Sequence, residues 1–193
     1  MAVLTERERI VSKIILILRA IFAVVLTTLP AGPAVAASGA LLEKDSEAAL
    51  QALYTNSPGA KALGDKAKGI LVFPNITKAG FIVGGQGGDG VLFEKGKVTD
   101  YYNTGAASIG LQAGVQTYGY ALFFMTDGDL RHLKRSSGWS LGTGPNIVIV
   151  DAGAAKDVST LTGQKGVYAF IFDQKGLMAG LGLVGQKITR IKK

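Results

Sequence analysis

The chain has 193 residues, 48% of them apolar and 18% charged, with a formal net charge of +7. That composition is too apolar for a disordered chain, and the length suits one domain with a single core. With no cysteine and one histidine, disulfides, thiolate metal sites, a cysteine nucleophile and anchoring through a lipidated cysteine are all excluded.

Residues 1–37 read as a secretory signal. Arg7, Arg9, Lys13 and Arg19 supply positive charge, residues 20–29 form an uncharged apolar run, and Ala34-Val35-Ala36-Ala37 follows Pro30. This is the order of an n-region, an h-region and a small-residue cleavage site, with cleavage expected after Ala36 or Ala37. The rival reading is a membrane anchor, but the run is shorter than the ~20 residues a spanning helix needs. Extending it back to Ile14 would bury Arg19. Removal of this segment leaves 17 Lys and Arg against 12 Asp and Glu, a net charge of +5. The expected location is periplasmic or envelope-associated, without a cysteine anchor. Nucleic acid is not an expected partner there, whereas anionic phospholipid headgroups are the obvious polyanion.

Residues 38–193 read as one domain with no internal linker. Leu42, Ala49, Leu50 and Leu53 recur near helical spacing and predict a helix over 41–54. Ser57-Pro58 is a helix start, with serine as N-cap and proline at the first helical position, and opens a helix over 58–67. Strands are predicted at 69–73, where Pro74-Asn75 stops the run, and at 81–83, 90–93 and 97–102. Glu94-Lys95-Gly96-Lys97 forms a hairpin turn. Residues 108–124 alternate, with Ile109, Leu111, Ala113, Val115 and Thr117 on one side and Gly110, Gln112, Gly114, Gln116 and Tyr118 on the other. Thr126 caps a helix over 127–135, and Gly138-Trp139 ends it and begins a strand. Further strands are expected at 147–150, 167–172, 177–183 and 187–191. The fold class is α+β: a large, mostly antiparallel, curled sheet, sandwich- or barrel-like, with N-terminal helices and one internal helix. The glycine-rich stretches 80–85, 110–114 and 176–182 echo one another. They suit either tight packing where the sheet bends or a slot for an acyl chain.

Several segments resemble the SYLF domain family: Phe73-Pro-Asn-Ile-Thr-Lys-Ala-Gly-Phe81, Asp100-Tyr-Tyr-Asn-Thr104, Ile109-Gly-Leu-Gln-Ala-Gly114, Gly138-Trp139, Gly144-Pro145 and the run from Tyr168 to Gly180. The likeness extends from about residue 45 to the C-terminus. Eukaryotic members of that family bind phosphoinositides, and some bind actin. Bacterial members are exported, often as lipoproteins, a pattern from which this cysteine-free chain departs. The resemblance implies a lipid-binding domain and does not identify the lipid.

The remaining motifs have simpler readings. Gly85-Gln-Gly-Gly-Asp-Gly90 and Gly180-Leu-Gly-Leu-Val-Gly185 match a dinucleotide fingerprint in spacing. Each is followed by a strand-like run rather than a helix, so no nucleotide is expected. The stretch around Ser108 lacks the strand-turn-helix setting and the histidine base of a nucleophile elbow. No metal, cofactor or catalytic residue is expected, and the protein is predicted not to be an enzyme. The candidate headgroup ligands are Arg131, Lys134 and Arg135, which share one helical face beside Trp139. The alternative is a solvated face with a core tryptophan. Lys187 and Arg190 form a second basic group and face opposite sides of their strand. Lys78, in the turn after Asn75, is a further phosphate contact or simply a turn residue. The expected function is noncatalytic recognition of anionic phospholipid or a membrane surface. The alternatives are an acyl-chain carrier with an internal cavity and an envelope assembly factor that recognises another protein.

Overall fold

A computed structural model describes residues 39–151, 166–176 and 185–193, with the backbone alone at 81–82, 108–113, 151 and 176. The proposed signal segment, and the strand expected at 177–183, lie outside the described residues.

Helix α1 (Gly39–Asn56) buries Leu42, Ser46, Leu50 and Leu53, one stripe spaced by four, four and three residues. Helix α2 (Pro58–Gly64) starts as its sequence requires: the Ser57 side chain accepts from the Ala60 N–H, and proline occupies the first turn. It ends three residues earlier than expected, at Gly64, where Tyr54 occupies the space a Cβ would need.

Two long strands dominate the rest. Strand β1 (Gly69–Glu94) pairs antiparallel with β2 (Lys97–Phe124) along their whole length. The turn between them has positive φ at both central residues, Lys95 and Gly96. That geometry matches the right-handed twist of a two-residue hairpin. The breaks expected at Pro74-Asn75 and between 102 and 108 are absent. Proline is accommodated because the register shifts between Phe73 and Ile76, and such a bulge exempts a residue from the ladder.

Helix α3 (Asp127–Arg135) is capped by Thr126, whose hydroxyl accepts from the Asp129 N–H. The short strand β3 (Trp139–Ser140), β4 (Ile147–Asp151), β5 (Val167–Gly176) and β6 (Lys187–Ile191) complete the described elements. The sheet runs β3-β6-β2-β5-β4, with β1 on β2. All pairings are antiparallel except β4 with β5. The N-terminal part of β2 pairs with β6 and its C-terminal part with β5. This is the expected α+β fold with a mostly antiparallel, curled sheet.

The curl has a direct measure. Thr104 and Tyr120 lie 16 residues apart on one strand, yet their side-chain oxygens are 2.9 Å apart. A straight strand would separate them by about 50 Å. Strand β1 folds over in the same way. A Cβ on Gly88 would meet the Asn75 carbonyl at 2.4 Å, and one on Gly90 would meet the Val72 carbonyl at 2.6 Å. The corner lies at Gly80, where a Cβ would fall 2.5 Å from the Gly84 Cα. At Gly80, in the first of the glycine-rich stretches, glycine therefore serves bending and close backbone approach.

Both faces of the sheet are covered. Its outer face carries Ile70, Val72, Val91, Phe93, Phe123 and Phe170 against α1 and α2. Its inner face gathers Leu71, Phe73, Tyr120, Leu122, Phe124 and Ile171 with Leu130 and Leu133 of α3 and with Trp139. Burial on two faces explains why 69–73 and 120–124 are continuous apolar runs rather than alternating ones.

Candidate functional site

The basic residues singled out in the sequence go to three different places. Arg131, His132 and Arg135 are exposed on one side of α3 and line a shallow open depression with Gly128 and Ser136. Neither arginine has an ion pair among the described residues. Lys134 and Arg135, in the last turn of this helix, also sit where its dipole favours positive charge.

Lys134 turns away from that surface. It pairs with Glu94, at the end of β1, and lies 4.0 Å from Asp100. Arg190 pairs with Asp100 as well. Asp100 is 8% exposed, so these cations offset the cost of keeping a carboxylate near the core. Burial pushes the Glu94 carboxyl up, but hydrogen bonds from Lys134 and Thr99 and the charges of Lys134 and Lys95 outweigh it. The net position is below the ordinary value. Lys134 and Arg190 are therefore committed to acids of this same chain. Lys187 is exposed on the opposite side of β6, where it approaches Gly138, and Lys193 pairs with Asp89 at 2.7 Å.

Trp139 does not stand beside the arginines on the exterior. It is 2% exposed, packs on Phe124 at 5.9 Å between ring centroids, and meets the edge of His132 at 6.0 Å. Its indole N–H donates to the Thr143 carbonyl at 2.7 Å. A tryptophan whose N–H and ring are both satisfied internally is a core residue, so the core alternative is the one the fold adopts.

Lys78 is also inside, 7% exposed. It belongs to β1 rather than to a turn and pairs in register with Gln116 of β2. Its neighbourhood on the inner face is polar. Tyr120 donates to Thr104 at 2.9 Å and Thr104 to the Gln186 carbonyl oxygen at 2.9 Å. The Gln186 amide donates to the Tyr118 hydroxyl at 3.2 Å, and Tyr118 to Gln86 at 3.1 Å. This relay joins two strands and the residue before β6, and the hydroxyls of Thr104 and Tyr118 each accept and donate. Burial raises the Tyr118 and Tyr120 phenols above the ordinary value. It pushes Tyr102 up to about 12, with Asp100 adding to the effect.

The sequence held one clue to this inner polar set. Gln116 and Tyr118 alternate against Val115 and Thr117, and it is the glutamine side that turns inward: Val115 is 60% exposed and Gln116 5%. Periodicity identified two faces, while the sheet's curvature decided which of them is enclosed. The roles of Glu94, Asp100, Thr104 and Gln186 depend on contacts between distant segments and left no local pattern. No group of three or more metal-ligating side chains occurs among the described residues.

No curated protein matches the chain. A family model described as Ysc84, Las17-binding protein actin regulator, matches residues 105–193. The matched span includes α3, β3 to β6 and most of β2, but not Lys78 or the stretches 73–81 and 100–104 that also resemble the family. The description is that of a binding and regulatory protein, and it supports a binding role. Residues 105–193 thus match the model of the Ysc84 family, the SYLF domain family that the sequence segments resemble.

Proposed function

We propose that this protein is a noncatalytic domain that docks on anionic phospholipid surfaces, and that it does so in the cell envelope after loss of residues 1–37. The observation that carries the reading is the difference among its cations. Lys134 and Arg190 are held by acids, whereas Arg131 and Arg135 stand exposed together without an ion pair among the described residues. Two guanidinium groups one helical turn apart complement phosphate, which accepts two parallel N–H donors from each. Enclosure of an acyl chain is less well supported, because aromatic side chains and the Tyr120–Gln86 relay fill much of the described inner face. Trp139 takes no part in the docking.

Vesicle sedimentation tests the proposal. Binding should be stronger to vesicles containing phosphatidylglycerol than to neutral phosphatidylcholine vesicles. Each basic residue near an anionic surface contributes about 1 kcal/mol, so Arg131→Glu with Arg135→Glu should weaken binding well over tenfold. Equal binding by this variant and the wild type would remove α3 from the docking surface. Release of a lipid from the purified protein on denaturation, with little salt dependence of binding, would favour the carrier instead.

A further inference from the structure

The inner face changes character along the long hairpin. From its C-terminal end, β2 presents Phe124, Leu122, Tyr120, Tyr118 and Gln116 in turn, while β1 presents Leu71, Phe73, Ile76 and Lys78. The apolar core thus gives way to a polar end. Lys78 and Gln116 are direct register partners, so their side chains leave the sheet next to each other on one face. Both are more than nine-tenths buried. The Gln116 Oε1 has no hydrogen-bond partner among the described residues. A buried acceptor left unmade opposes folding, and a methionine of similar size would not carry that penalty. A sheet selected for stability alone would continue the leucines and phenylalanines of its other end.

We propose that this end of the inner face is a binding site for a small polyol phosphate, with the Lys78 ammonium directed to the phosphate and Gln116 Oε1 accepting from a hydroxyl. The two side chains define the ligand between them. An ammonium only donates, so its complement is an anion; an unpartnered carbonyl oxygen needs a donor, which a fatty acid carboxylate does not supply. A hydroxylated phosphate ester carries both groups in one small molecule. Lys78 has an interaction of its own, and the site needs one of the three N–H donors of its ammonium to reach the ligand. Tyr118, two residues from Gln116 on the same face, is fixed by Gln86 and Gln186. The site is separate from the arginines of α3 and stands whether or not those arginines dock on a membrane. The same chemistry is present in a glycerol-phosphate lipid headgroup and in a free phosphate ester.

Titration calorimetry on the full chain with glycerol 1-phosphate, propyl phosphate and dihexanoyl phosphatidylglycerol tests the site. Saturable binding of glycerol 1-phosphate is expected, with propyl phosphate, which lacks the hydroxyls, at least tenfold weaker. Gln116→Met should keep or raise the thermal midpoint and reduce glycerol 1-phosphate binding at least tenfold, to the level of propyl phosphate. Lys78→Met should lose both esters. Binding of the lipid as well assigns the site to a headgroup, and binding of the free ester alone assigns it to a soluble ligand. The proposal is overturned if none of the three ligands binds saturably, or if folded Gln116→Met binds like wild type. It is overturned equally if Arg131→Glu with Arg135→Glu abolishes ester binding, which would place the ligand on α3. Vesicle docking is read separately by sedimentation, so either proposal can fail without the other.

Discussion

The exposed face of α3 and the polar end of the sheet's inner face both hold basic residues, but under opposite physical conditions. On α3, Arg131 and Arg135 stand in solvent, where a charge costs little to keep and contributes little to stability. Inside the curl, Lys78, Thr104, Gln116 and Gln186 are enclosed, and every polar atom there must find a partner or oppose folding. A surface cation tells little about function unless it is left unpaired while its neighbours are neutralised, as Arg131 and Arg135 are among the described residues. A buried polar group always requires an explanation, either a partner in the fold or a ligand.

The largest expected effect breaks the comparison at Trp139, for which the sequence left both an interfacial and a core reading and which the fold places inside. Trp139→Ala should destabilise the protein by about 3–5 kcal/mol, the range for emptying a large aromatic site. Urea denaturation measures it. Because Trp139 is the chain's one tryptophan, its fluorescence gives a second reading: emission should be that of a buried indole and should not shift when anionic vesicles are added. A small stability change together with a vesicle-dependent shift would return Trp139 to the membrane interface.

The inner relay supplies the next effect. Thr104→Val keeps the shape but removes the hydroxyl that joins Tyr120 to Gln186, leaving buried groups unpaired at a cost of about 1–3 kcal/mol. Arg131→Ala, on the exposed face, should stay within about 0.5 kcal/mol of wild type. Chemical denaturation of the two variants side by side sharpens the contrast, and equal effects would abolish it.

The smallest effect is in the pH dependence. The Glu94 carboxyl lies below its ordinary value in the folded protein, so its pairing with Lys134 stabilises the fold above the unfolded carboxyl's pKa. That stability is lost as pH falls through the lower folded value. Glu94→Gln should therefore flatten the fall in thermal midpoint on acidification below about pH 4.5, by less than ~1 kcal/mol because the pair is partly exposed. The phenols act at the other end of the scale. Tyr54 and Tyr102 are pushed up to about 12 by burial, with the charges of Asp65 and Asp100 adding to it. Their contribution is complete below pH ~10 and is lost as pH rises from there through about 12. Ultraviolet titration should show these phenols ionising above the range of exposed tyrosine.

The sequence by itself determined the parts of this protein that depend on near neighbours. Ser57-Pro58 and Thr126 marked helix starts because capping needs only a side chain and an amide three residues on. Lys95-Gly96 marked the hairpin because its turn needs two residues able to take positive φ. The segments resembling the SYLF domain pointed to a family that the matched span 105–193 bears out. Only the tertiary structure decided which side of β2 faces inward, that Trp139 is internal, and that Lys134 and Arg190 meet at Glu94 and Asp100. Strand periodicity gives two faces without saying which one a curling sheet will enclose. Arg190 and Asp100 are 90 residues apart in the chain, so no window on the sequence contains both partners. The curl at Gly80 and Gly84 brings distant halves of the long strands together, and it turned a row of glutamines, tyrosines and one lysine into an interior.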